Sequence, residues 1–140
     1  MQTNVVQGRL ALARVKFEPV ACMLDHLAKD IEKEHGRVVL QQRSPMESTA
    51  QNVCSVRYFL RYPDDVRLAL TFIVTGEIAD LLLLQAQERS GPRNMKANSG
   101  PVDQRVYRVE EVEDIKQAVQ EKIRAHLWSR RAQDTGRVAH

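Results

Sequence analysis

The sequence predicts an α+β domain with an N-terminal helix, an antiparallel meander sheet of four or five strands, and a C-terminal helix, both helices lying on one sheet face. Three observations predict it. Apolar residues recur at helical spacing towards each end of the chain, two adjacent central segments alternate with a period of two, and Pro63-Asp64-Asp65 between those segments supplies a turn. A chain of 140 residues is enough for one hydrophobic core. The expected organisation is an N-terminal arm over 1–17, a single domain over 18–131 and a flexible tail over 132–140.

The first helix is expected from Pro19, a residue suited to the first helical turn, to His35, just before Gly36. At about 100° per residue, Phe17, Val20, Ala21, Leu24, Leu27, Ala28 and Ile31 fall on one face. Arg37 to Gln42 reads as a short strand ended by the polar stretch around Ser44, Pro45 and Glu47, with a loop to Asn52.

Val53 to Tyr62 follows, with Cys54, Val56, Tyr58, Leu60 and Tyr62 on one face and Val53, Ser55, Arg57, Phe59 and Arg61 on the other. In the next strand, Val66 to Thr75, residues Val66, Leu68, Leu70, Phe72 and Val74 face inward. These two segments form the expected hairpin.

Glu77 to Arg89 pulls in two directions: its Glu, Ala, Leu and Gln content favours a helix, while its place after Thr75-Gly76 favours a third strand. The strand is the reading adopted, because an antiparallel sheet covered on one side by helices needs it. Ser90 to Val102, with Gly91, Pro92, Gly100 and Pro101, reads as a basic loop, and Val106 to Val109 as a short edge strand. The last helix, Glu111 to Arg130, has a core stripe of Val112, Ile115, Val119, Ile123 and His126. Its acids lie early and its bases late, as the helix dipole favours.

The motifs exclude more than they assign. The chain lacks G-x-G-x-x-G, G-x-x-x-x-G-K, G-x-S-x-G and H-E-x-x-H, so no catalytic residue, cofactor or metal ligand is expected and the leaning is away from an enzyme. Two cysteines, Cys22 and Cys54, are too few for a disulfide framework and point to the cytoplasm. No membrane association is expected, since no run approaches the ~18 apolar residues a span requires.

Cys22 and His26 share a helix face, but two ligands do not make a metal site. Both fall opposite the core stripe, as Trp128 does on the last helix beside Arg124. Tryptophan and arginine dominate interface hot spots, and Phe59 and Ile73 add apolar surface to the nominally outer sheet face.

The first functional expectation is therefore a non-enzymatic interaction domain, a homodimer or partner-binding protein using Trp128, Arg124, Phe59, Ile73 and Cys22. A second is a nucleic-acid accessory module whose contacts are Arg57, Arg61, Arg93, Lys96 and Arg131, with Arg124 beside them; a net charge of +3 permits this without demanding it. A third is a small-ligand domain, or an enzyme of unidentified type, with a cavity between helices and sheet.

Overall fold

A computed structural model of the chain describes residues 2–50, 53–63, 66–89 and 99–138. Leu10, Ala13, Phe17, Val20, Leu24, Leu27 and Ile31 recur at alternating spacings of three and four, the pattern of a helix with one apolar stripe. They form the packed side of helix α1, Gln2–Glu34. The helix thus begins well before Pro19, and residues 2–17 belong to the same element as the rest rather than to an arm. The stripe is unbroken across Pro19, which lies on the exposed side, so packing overrides a residue that by itself signals a helix start.

Among the described residues six antiparallel strands follow: β1 (Val39–Gln42), β2 (Glu47–Ala50), β3 (Val53–Arg61), β4 (Val66–Thr75), β5 (Leu81–Arg89) and β6 (Ser99–Arg108). Their order is β1-β3-β4-β5-β6, with β2 also on β3. β1 faces the end of β3 (Val39 opposite Arg61), β2 faces its beginning (Glu47 opposite Ser55), and between them the Arg43 amide donates to the Arg57 carbonyl at 2.9 Å. The two are therefore one edge strand interrupted near Pro45, a residue with no amide hydrogen for the ladder. The loop expected up to Asn52 gives way to β2, and six strands occupy five sheet positions.

Glu77 to Arg89 is a strand only from Leu81. The preceding residues make the β4–β5 turn, with Gly76 at φ 98° and Ala79 at φ 54°. The positive φ favours glycine at Gly76, and a side chain there would also force the Asp80 carboxylate to shift. β6 is longer than the expected Val106–Val109 strand and begins inside the expected loop; residues 90–98 lie outside the described residues.

Helix α2, Val112–Val138, starts where the Arg108 amide donates to Glu111 Oε1 at 2.9 Å. It continues through 132–138, where a tail was expected. No proline interrupts it there, and Ala132, Gln133 and Arg137 are good helix formers.

Both helices cover the face of the sheet that carries Cys54, Val56, Tyr58, Leu60, Leu70, Phe72, Val74 and Leu82, and they touch one another. Ile115, Val119 and Ile123 of α2 complete the core, and the stripe ends at buried His126, whose Nδ1 lies 2.9 Å from Tyr62 Oη. That hydrogen bond satisfies a polar ring that would otherwise be costly to bury. Among the described residues no helix is long and apolar enough to cross a membrane.

Tyr58 is buried beneath α1 and donates its hydroxyl to Gln42 Oε1 at 3.3 Å. Burial, helped by the nearby Asp25 and Glu18 carboxylates, pushes its phenol up to about 12 from 10. The folded state thus keeps the proton to higher pH than the unfolded chain. This contribution is fully present below about pH 10 and is lost as pH rises towards 12. In urea titrations at both ends of that window, the native chain is expected to lose about 1–2 kcal/mol more than Tyr58→Phe. Equal losses would place the phenol in solvent.

Candidate interaction surface

Side chains alternate along a strand, so the residues between those that meet the helices form the opposite face of the sheet. The register aligns them in rows across the strands. One row is Ser55, Ile73, Leu83 and Val106; the next is Arg57, Thr71, Gln85 and Gln104; a third is Gln41, Phe59, Ala69, Gln87 and Val102. Directly opposed residues have their Cβ atoms about 4.5–5.5 Å apart, within packing range.

The first row is an apolar band ending at an exposed edge, where Val106 is 65% and Val102 49% accessible. Leu81 and Ile78, both exposed, extend apolar surface along the end where β4 turns into β5. The middle row is tied by polar contacts, Arg57 Nε donating to Thr71 Oγ1 at 3.3 Å and Gln85 Nε2 to Gln104 Oε1 at 3.1 Å.

At the opposite edge the surface is basic. The Arg43 guanidinium lies 5.8 Å from the centre of the Phe59 ring, a cation–π contact, and Arg61 donates to Gln41 Oε1 at 2.8 Å.

Phe59 and Ile73 therefore share the outer sheet face with Arg57 and Arg61, whereas Trp128, Arg124 and Cys22 belong to the helix layer on the other side. Trp128 is 71% accessible. Cys22 is exposed on α1, its thiol donating to Glu18 Oε1 at 3.6 Å; desolvation and that carboxylate push the thiol up, which disfavours the reactive thiolate. Buried Cys54 is also pushed up by its burial, against the opposing pull of Arg14 and Arg9. Among the described residues no group of three His, Cys, Asp or Glu side chains is placed to hold a metal ion.

Arg57 and Arg61 lie on the sheet face turned away from the layer that contains Arg124. Arg131 lies in α2 with its side chain outside the described residues, as Arg93 and Lys96 lie outside them altogether.

Sequence reasoning missed Leu83, Val102 and Val106. Leu83 sat among four leucines that fill either face, and Val102 lay in a segment read as loop. The local pattern offers little to find the valines, since Val102 and Val106 share their face with Gln104 and alternate with Asp103, Arg105 and the aromatic Tyr107.

On the helix side, an open cleft of about 230 Å³ runs between β5, β6 and α2, lined by Leu84, Ala86, Asp103, Arg105, Tyr107 and Lys122 among others. Lys122 donates to the Asp103 carboxylate and holds its pKa below the usual carboxylate range. The pair is tied up with itself, while Arg105 and Glu121 also line the cleft. No family model, curated protein or solved structure matches the chain.

Proposed function

We propose that this chain is a non-enzymatic interaction domain that self-associates through its sheet. One observation carries the reading: both helices cover one face, and the other bears an apolar cross-strand row, Ile73, Leu83 and Val106, that runs out to an exposed edge. Apolar surface of this kind gains roughly 25 cal/mol for each Å² it removes from water, which favours a partner that buries part of it. The arginines on the same face support protein contact over nucleic acid, since Arg43 already covers the ring of Phe59 that bases would stack on, and Arg57 and Arg61 are engaged within the sheet.

Sedimentation equilibrium from micromolar to millimolar chain is expected to show a dimer. Val106→Lys, at an exposed position that leaves the core untouched, is expected to weaken it at least about tenfold. A chain that stays monomeric over the whole range would remove the reading.

A further inference from the structure

We infer that two copies of this chain pair their β6 strands antiparallel about a two-fold axis at Gln104, joining two sheets into one. The inference rests on the self-association proposed above and places it at the exposed edge of the sheet, where Val106 ends the apolar row. β6 is last in the strand order, so one of its edges carries the ladder to β5 and the other has no strand among the described residues.

The phase of that free edge follows from one hydrogen bond. The Val109 amide donates to the Asp80 carbonyl at 2.9 Å, one step beyond the pair Leu81–Arg108. Antiparallel ladders alternate hydrogen-bonded and non-hydrogen-bonded pairs, so Tyr107, Arg105 and Asp103 also turn their main-chain groups towards β5. Val102, Gln104 and Val106 turn theirs to the open edge, as does Arg108, whose amide is already bonded to Glu111. The irregularity in the ladder falls beyond Gln87 and its partner Val102, so the alternation holds over this stretch.

An antiparallel mate must set edge-directed residues against edge-directed residues, which leaves a short series of registers. Centring on Asp103 opposes it to its own copy, and centring on Arg105 opposes two guanidinium groups; like charges directly across strands are destabilising. Centring on Gln104 places Asp103 against Arg105 of the second copy and Val102 against its Val106, twice over by symmetry. The strand is self-complementary in charge and in apolar surface in this register.

The outcome also accounts for two accessible valines on a ten-residue edge strand, a feature that would otherwise invite indiscriminate pairing. Asp103, already bonded to Lys122, keeps a side chain 46% accessible and so can accept from a second cation. A two-fold axis perpendicular to the sheet keeps both helix layers on one side and makes the two outer faces a single surface.

Charge exchange on the full-length chain tests this by sedimentation equilibrium, with thermal melts confirming that each variant is folded. Asp103→Arg opposes two cations and Arg105→Asp two anions, so each is expected to raise the dimer dissociation constant at least about tenfold. The double variant D103R/R105D restores opposite charges across the axis and is expected to return to within a few-fold of the native chain. Leu83→Lys, away from the edge, is expected to leave the dimer intact.

A double variant as weak as the single ones overturns the register. A native dimer indifferent to all three charge variants but lost in Leu83→Lys overturns edge pairing while leaving self-association standing. A native monomer overturns both.

Discussion

Phe72→Ala is expected to lower the unfolding free energy by about 3–5 kcal/mol, the range for truncating a fully buried aromatic residue. Phe72 is wholly buried and sits in β4, the middle position of the sheet. Its ring centre lies 5.6 Å from that of Phe17 on α1, at an interplanar angle of 58°, and 5.6 Å from that of Tyr58 on β3, at 85°. Tilted and edge-on pairs at this range add to the area term, so one truncation removes an aromatic contact that joins α1 to two strands.

The cavity cannot close easily, because Val56 and Leu84 flank the position across the strands and are fixed by their ladders. Domains of this size have only ~5–15 kcal/mol in hand, so the variant should unfold at markedly lower urea. Phe72→Leu, which keeps most of the volume, should cost less than half as much. Near-equal effects of the two substitutions would mean that the ring is not packed on both sides.

The elements whose two faces meet different environments were the ones legible in the sequence. β3 and β4 have helices on one side and, among the described residues, no covering layer on the other, so Tyr58, Leu60, Leu70 and Phe72 alternate with Arg57, Arg61 and Thr71, and the hairpin is written in the pattern. The same contrast marks α2, where Ile115, Val119, Ile123 and His126 are buried and Trp128 is exposed. β6 carries no such mark. Its inward residues Asp103 and Arg105 meet the charged flank of α2 at Lys122 rather than the core, so neither face is apolar and Gly100-Pro101 dominates the local signal.

The candidate surface was half legible for the same reason. Phe59 and Ile73 could be placed on the outer face because their strands had a readable phase. Val106 could not, because the phase of β6 is fixed by its ladder to β5. Composition likewise placed arginines near one another in sequence terms without indicating that the sheet would separate Arg57 and Arg61 from Arg124.

The largest departure from expectation, the length of α1, leads to a substitution expected to stabilise the fold. Pro19 lies inside a helix of 33 residues, where it lacks the amide hydrogen that would bond the Val15 carbonyl and where its ring crowds that carbonyl. An interior proline costs a helix about 3 kcal/mol relative to alanine. Two features make the cost bearable: Pro19 and Val15 are both exposed, so water solvates the freed carbonyl, and Phe17, Val20 and Leu24 hold the helix to the sheet on either side.

Pro19→Ala recovers the hydrogen bond and removes the clash. It also loosens the unfolded chain, which takes back roughly 0.4–1 kcal/mol, leaving an expected gain of about 2–3 kcal/mol. Urea titration should show a higher midpoint with an unchanged slope. A lower midpoint would show instead that a bend at Pro19 is what lets Leu10, Ala13 and Phe17 reach the sheet, with convexity towards solvent as long surface helices adopt.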